Sequence, residues 1–397
     1  MSLNDTPSSE RIRIGFFGRT NTGKSSLINK ITNQNVSIVS DIEGTTTDPV
    51  SKAMEILPLG AVLITDTAGY NDKSELANLR LEKTFKILDK TDIAILVADA
   101  SNSLTVDDKK LINIFEAKKI KYIIVYNKCD LIEKTLTASE NEIYVSALKN
   151  INIIELKEKI ASFSKFLSPQ KVLISDLINE NDKIILVTPI DSSAPKGRLI
   201  LPQQQVLRDI LDKGGIGIVI KEFQLENVLA FCPDPKLIIT DSQVFKYVNS
   251  VLPENIPLTS FSILFARYKG ILEIAVKGVK NIKNLKNNDT ILISEGCTHH
   301  RQCNDIGTVK LPGLIKAFTQ KNLNFEFTSG SQFPDNLNKY AMIIHCGACM
   351  LNEREVLNRY KSAQYYNIPI SNYGITIAYL NGILQRSIEI FYPEKNC

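Results

Sequence analysis

The chain has 397 residues, 44% of them hydrophobic and 23% charged, with 47 Lys and Arg against 43 Asp and Glu for a net charge of +4. This is ordinary globular composition, which implies neither disorder nor fibre, and without a concentrated basic block it implies no nucleic-acid partner. No apolar run approaches the roughly 18 residues that cross a membrane, and Met1 to Glu10 is polar without a signal-peptide core, so the expectation is no membrane and a cytoplasmic location. In that compartment seven cysteines read as ligands, redox groups or small core residues rather than disulfides. The periodicity predicts an α/β fold in three domains, 10–168, 172–258 and 259–397.

The first element is an apolar run, Arg11 to Phe17, read as a buried strand. It leads through Gly18-Arg-Thr-Asn-Thr-Gly23-Lys24-Ser25-Ser26 into the helix opening Leu27 to Ile31. In a strand, glycine loop and helix of this spacing, the backbone amides from Gly18 to Ser26, including that of Thr22, turn inward around a nucleotide phosphate. Lys24 supplies a point charge and Ser25 a hydroxyl for Mg²⁺. Further strands are predicted at Ala53–Leu57, Val62–Asp66, Ile93–Asp99, Tyr122–Asn127 and Ile143–Val145, and ligands to such sheets sit at the carboxyl ends of the strands. Three motifs lie there: Asp66-Thr-Ala-Gly69, Asn127-Lys128-Cys129-Asp130 and Ser146-Ala147-Leu148.

Together these motifs resemble a small GTPase domain of the translation-factor-related class. The resemblance implies GTP/GDP binding, with Asn127 and Asp130 reading guanine, Lys128 over the ring and the Ser146-Ala147 backbone at O6. It implies Asp66 beside Mg²⁺ and the Gly69 amide at the γ-phosphate. Gly44-Thr45-Thr46-Thr47-Asp48 resembles the loop whose threonine completes the Mg²⁺ shell; register favours Thr46, with Thr45 and Thr47 as alternatives. Asn21 resembles the asparagine of potassium-activated GTPases, in which K⁺ replaces an arginine finger, and Tyr70 stands where other members place a water-orienting glutamine. Slow, K⁺-stimulated hydrolysis is the expectation.

A helix at Ile151–Phe166 and a linker at Ser168-Pro169-Gln170 close this domain. The middle unit follows with strands at Lys183–Val187, Ile216–Ile220 and Leu237–Thr240 and helices at Gln203–Asp212 and Ser242–Val251. It carries no chemical constellation. Pro189, Asp191, Pro195, Lys196 and Gly197 make a polar loop, Cys232 stands alone, and the unit reads as an interaction module, with a homodimer expected.

The third unit begins with helical spacing over Ser260–Tyr268 and Leu272–Val279, then a strand at Thr290–Ser294. Directly after it comes Glu295-Gly296-Cys297-Thr298-His299-His300-Arg301-Gln302-Cys303. A helix at Leu314–Lys321 and a strand at Asn324–Phe327 precede the strand Met342–Ile344, which runs into His345-Cys346-Gly347-Ala348-Cys349. All three histidines and four of seven cysteines fall in these two stretches. If both strands share a parallel sheet, the clusters meet at one rim. Thiolates with imidazoles suit zinc or an iron–sulfur cluster. By spacing alone, Cys297, His299, Cys346 and Cys349 would make a closed structural zinc site. A thiol redox pair at Cys346 and Cys349 is a further option. A helix at Glu353–Tyr366, a strand at Ile368–Ile370 and a helix at Ile375–Ser387 complete the layer, with Asn372-Tyr373-Gly374 at the same rim.

Read whole, a potassium-type GTPase domain, a featureless middle unit and a Cys-x-His followed by His-Cys-x-x-Cys resemble the FeFe-hydrogenase maturation GTPases. That resemblance implies a 4Fe–4S cluster on Cys297, Cys346 and Cys349 with a labile fourth position, which His299, His345, a carboxylate or water could fill. It implies a scaffold that takes a diiron precursor made by two radical-SAM maturases and delivers it to apo FeFe-hydrogenase. Cys303 is a fourth ligand or a bystander. The competing expectation is a zinc-stabilised regulatory GTPase of ribosome assembly or RNA modification.

Overall fold

The computed structural model describes residues 6–32, 50–67, 69, 84, 86–132, 138–166, 171–190, 199–296, 305–330 and 332–392. The chain divides into two compact units, Met1–Pro169 and Gln170–Cys397.

In the first unit, β1 (Ile12–Phe17), β2 (Val50–Ile56), β3 (Gly60–Asp66), β4 (Ile93–Asp99), β5 (Lys121–Asn127) and β6 (Glu142–Tyr144) form one sheet in the order β2-β3-β1-β4-β5-β6. Only β2 pairs antiparallel; the other neighbours are parallel. The β4 sequence Ile-Ala-Ile-Leu-Val-Ala shows why the sheet is covered on both faces. Ile93, Ile95 and Val97 pack in one core with Leu27 and Ile31 of α1 (Lys24–Thr32), while Ala94 and Leu96 pack in another with Leu111 and Phe115 of α2 (Val106–Ala117). Successive side chains alternate faces, so a continuous apolar run is a strand buried on both sides. Thr105 starts α2 by accepting from the Asp108 amide, and Asp108 answers through the Thr105 backbone. The helix expected at Ile151–Phe166 is α3 (Ile153–Ser162), followed by a tighter turn over Phe163–Phe166.

The second unit holds two parallel four-stranded sheets. Strands β7 (Lys183–Val187), β8 (Ile216–Ile220), β9 (Leu237–Thr240) and β10 (Leu258–Ser260) run in the order β10-β9-β7-β8. Strands β11 (Thr290–Ser294), β12 (Asn324–Thr328), β13 (Met342–His345) and β14 (Ile370–Asn372) run in the order β12-β11-β13-β14. No break in packing marks the expected boundary at 258/259. β10 crosses it, and one core runs from Ile185 and Ile238 of the first sheet to Ile293 and Ile344 of the second. Helices α4 (Leu201–Asp212), α5 (Leu225–Phe231), α6 (Phe245–Val251), α7 (Phe261–Tyr268), α8 (Leu272–Val279), α9 (Leu311–Thr319), α10 (Glu353–Tyr365), α11 (Tyr373–Leu380) and α12 (Leu384–Ile388) complete the unit. Helix α8 lies so close to β14 that a Cβ on Gly278 would sit 2.0 Å from the Ile370 carbonyl oxygen. The single helix expected over Ile375–Ser387 is corrected to two, α11 and α12. The chain turns at Gly382, whose φ of +71° lies in the left-handed region that ends helices.

Candidate functional site

The glycine loop leaves β1 and closes on the start of α1. Gly23 has φ +84°, and a Cβ there would stand 2.3 Å from Nδ2 of Asn127, so both backbone shape and proximity require glycine. Asn21 also takes the left-handed region, at φ +63°. The Lys24 side chain is buried, and its ammonium donates to the carbonyls of Gly18 at 2.9 Å and Arg19 at 2.8 Å. Burial lowers its pKa to about 8, with Asp66 opposing. A phosphate would be the natural partner for this charge.

Ser25 Oγ donates to Asp66 Oδ2 at 2.6 Å, while Asp66 Oδ1 is buried with no partner among the described residues. Burial pushes the Asp66 carboxyl above its ordinary range, against the Ser25 hydrogen bond and the Lys24 charge. A hydroxyl beside an orphaned carboxylate oxygen fits a hard oxygen-seeking cation such as Mg²⁺, and Ser25 and Asp66 are the residues that would hold it. The backbone at Gly69 presses on the loop: a Cβ there would lie 2.6 Å from the Thr20 nitrogen. Thr46, with Thr45, Thr47 and Tyr70, lies outside the described residues.

Asn127, expected to read guanine, is also a strut. Nδ2 donates to the Thr22 carbonyl at 2.9 Å and Oδ1 accepts from the Ala147 amide at 3.0 Å, joining the glycine loop to the Ser146-Ala147 turn. Ser146 is buried and its Oγ accepts from the Lys149 amide. Lys128 sits at φ +65° with its ammonium 2.7 Å from Asp99 Oδ2, a partner at the end of β4 that motif spacing did not single out. Asp130 Oδ1 is buried without a partner among the described residues, an acceptor in want of donors, which suits a guanine N1/N2 edge.

In the second unit β11 and β13 are parallel neighbours, with Ser294 beside His345 in register. The chain segments that follow, Glu295-Gly296 and Cys346 onward, therefore leave the sheet side by side. Cys346 Sγ accepts from the Gly296 amide at 3.0 Å and the Ala348 amide at 3.4 Å, and the Cys346 amide donates to the Ser294 carbonyl at 2.9 Å. Burial drives the Cys346 thiol up to about 11, against those two amides, and raises Cys349 against the Lys269 charge. A metal held by these sulfurs would have to displace their protons. Two backbone amides aimed at a sulfur, with a second thiol three residues on, fit a thiolate-held metal centre. Among the described residues no three His, Cys, Asp or Glu form a metal-holding group; Cys297, His299, His300 and Cys303 lie outside them.

His345, one of the candidates for a fourth ligand, is buried on the end of β13. Its Nδ1 lies 3.0 Å from the Cys346 carbonyl oxygen and its Nε2 3.0 Å from Arg359 Nη1, so both nitrogens are engaged. Burial and the Arg359 charge lower its pKa to about 3. Asn372 caps α11 by accepting from the Ile375 amide, while Tyr373 donates its hydroxyl to Glu295 Oε1 at 3.3 Å. Lys269 donates to the Leu351 carbonyl at 2.5 Å from within the same packed region. Glu295, Lys269, Glu355 and Arg359 were missed by sequence reasoning; the only signal was the i,i+4 spacing of Glu355 and Arg359 on α10.

Residues 273–390 match the family model of the hydrogen maturase F tetramerization domain, and residues 173–270 that of the hydrogen maturase F dimerization domain, together more than half of the chain. The chain belongs to the hydrogen maturase F family. Residues 13–128 also match the model described as 50S ribosome-binding GTPase. The chain is 33% identical over 217 residues to the tRNA modification GTPase MnmE of Lactobacillus helveticus, covering 53% of this chain and 43% of that protein. It is 36% identical over 174 residues to GTPase Der of Wolinella succinogenes, covering 40% of this chain and 36% of that one. The chain thus spans less than half the length of these relatives. Among solved structures, the G domain of the T. maritima FeoB iron transporter is similar at 22% identity and a TM-score of 0.30, covering 39% of this chain and 99% of that one.

Proposed function

We propose that this member of the hydrogen maturase F family is a GTP-hydrolysing scaffold of FeFe-hydrogenase maturation. GTP is read by Asn127 and Asp130, held by the loop from Gly18 to Ser26, and hydrolysed slowly with Mg²⁺ on Ser25, Asp66 and Thr46. K⁺ beside Asn21 stimulates the step, and hydrolysis serves as a switch. Cys297, Cys346 and Cys349 would hold a 4Fe–4S cluster, which in three-thiolate form supplies one iron open to an exogenous ligand. The cargo is a diiron precursor, made by two radical-SAM maturases and passed to apo FeFe-hydrogenase. The single observation that carries this reading is the Cys346 sulfur under two backbone amides, one of them from Gly296, the residue before Cys297.

The chain acts as a homodimer in this reading, without nucleic acid or membrane, in the cytoplasm. No helix among the described residues is long and apolar enough to cross a membrane. Strand β8 supports the dimer. Among the described residues it is an edge strand, Ile-Gly-Ile-Val-Ile, with Ile216 and Val219 exposed and none of the charges or prolines that usually guard an open edge.

Anaerobic reconstitution with iron and sulfide, EPR of the reduced protein and metal analysis of Cys297→Ala test the site. A reducible cluster that Cys297→Ala loses is expected. Stoichiometric zinc without a reducible cluster would instead support the regulatory GTPase of RNA modification that the relatives' names suggest.

A further inference from the structure

The last residues of the four strands β12, β11, β13 and β14 stand in a row. Thr328 lies beside Ser294, Ser294 beside His345, and His345 beside Asn372. Polar side chains thus end strands whose preceding residues on β11 and β13, Ile293 and Ile344, are fully buried. Arg359, on α10, reaches this row with only 5% of its side chain exposed. Nη1 lies 3.0 Å from His345 Nε2 and 3.5 Å from Ser294 Oγ. Nη2 donates to the Gly330 carbonyl at 2.7 Å and to Glu355 Oε1 at 2.8 Å, and the guanidinium lies 5.3 Å from the Phe333 ring centre.

A guanidinium has donors and no acceptor. His345 Nε2 must therefore accept, which puts the proton of the neutral ring on Nδ1, where it donates to the Cys346 carbonyl 3.0 Å away. The same group touches Ser294, whose own carbonyl accepts from the Cys346 amide and which is followed by Glu295 and Gly296. From one side chain, bonds thus run to the carboxyl ends of β11 and β13 and to Gly330, two residues past β12.

We propose that Arg359 is a positioning residue: a clamp that fixes the carboxyl ends of β11 and β13 relative to each other by holding Ser294, Gly330 and His345 at once, with His345 passing the restraint to the Cys346 backbone. Its role toward a cluster rests on the reading given above, but the clamp itself is made by this chain's own side chains. Lysine cannot replace it, because a single ammonium lacks the planar fork that reaches several acceptors in fixed directions. Glu355 balances the charge from the previous turn, so the neutral variant removes both members of this buried pair together.

The test uses the full chain, freed of metal anaerobically, as wild type, Arg359→Lys and the doubly neutral Arg359→Met/Glu355→Leu. Iodoacetamide alkylation is followed at Cys346 and, as an internal reference, at the buried Cys232. Loss of charge-assisted bonds to the loop's support should raise the Cys346 rate about tenfold or more, with Cys232 unchanged. With ¹⁵N-histidine labelling, the wild-type His345 ring should be the neutral Nδ1–H tautomer. A wild-type Nε2–H tautomer, or Cys346 rates within about twofold of wild type in both variants, overturns the clamp. Iron retention separates the two readings. If wild type takes up no iron but both variants expose Cys346, the clamp stands and the cluster reading falls. If wild type binds iron and neither variant changes thiol reactivity, the clamp alone falls.

Discussion

Asn127→Ala removes the strut of the nucleotide site. Its Nδ2 and Oδ1 satisfy the Thr22 carbonyl and the Ala147 amide, in residues that are 3% and 4% exposed, so truncation leaves two polar groups without water to replace the lost bonds. At about 1–3 kcal/mol for each stranded group, the cost to the first unit is about 3 kcal/mol, a large part of the roughly 5–15 kcal/mol that holds such a domain together. For a unit of this length each kcal/mol is worth about 2–4 °C, so its calorimetric transition in the full chain should fall by roughly 6–12 °C. Asn127→Asp should be no better. One carboxylate oxygen can still accept from Ala147, but the other meets the Thr22 carbonyl and cannot donate. Titration with a fluorescent guanine nucleotide should show both variants binding much more weakly. A transition shifted by less than about 3 °C in Asn127→Ala would refute the reasoning, since it would mean that the loop and the turn do not depend on this side chain.

Three further outcomes are expected. Burial holds the Lys24 ammonium near pH 8 rather than 10.5, and the unfolded chain keeps that proton longer. The folding penalty from this group is then fully present below pH 8 and vanishes by 10.5, so on its account the nucleotide-free chain gains up to about 3 kcal/mol as pH rises through that window. Denaturation midpoints across it should rise less steeply in Lys24→Met than in wild type; parallel profiles would exclude the effect. Gly69→Ala places a Cβ 2.6 Å from the Thr20 nitrogen, a backbone atom that cannot move cheaply, and should cost GTP turnover at least tenfold while circular dichroism stays unchanged. Val219→Lys puts a charge on the exposed β8 edge and should convert dimer to monomer in light scattering; an unaltered dimer would move the interface elsewhere.

The glycine loop was legible because its demands are local. A left-handed turn at Gly23, a lysine at a helix start and a carboxylate at the end of an apolar strand all repeat at fixed spacings. The meeting of β11 and β13 was legible too, from apolar runs that each feed a sulfur-bearing loop and from the parallel packing such runs require. His345 shows the limit. Next to Cys346 in sequence it is one of several candidates for a fourth ligand, and its contact with Arg359, on a helix fourteen residues on, cannot be read from the sequence. The split of the last helix at Gly382 was hidden by an apolar pattern that continues through the turn.

What the sequence determined by itself is the chemistry carried by neighbours along the chain: the glycine loop, the Asn-Lys-Cys-Asp motif, the Cys-x-x-Cys turn and the strands that present them. Tertiary structure alone decided what else in the protein these residues hold. Asn127 bridges two loops, Lys128 answers to Asp99, and His345 is held between Cys346 and Arg359. The physical reason is that a buried polar group must find partners, and those partners come from segments that only folding brings within hydrogen-bond reach.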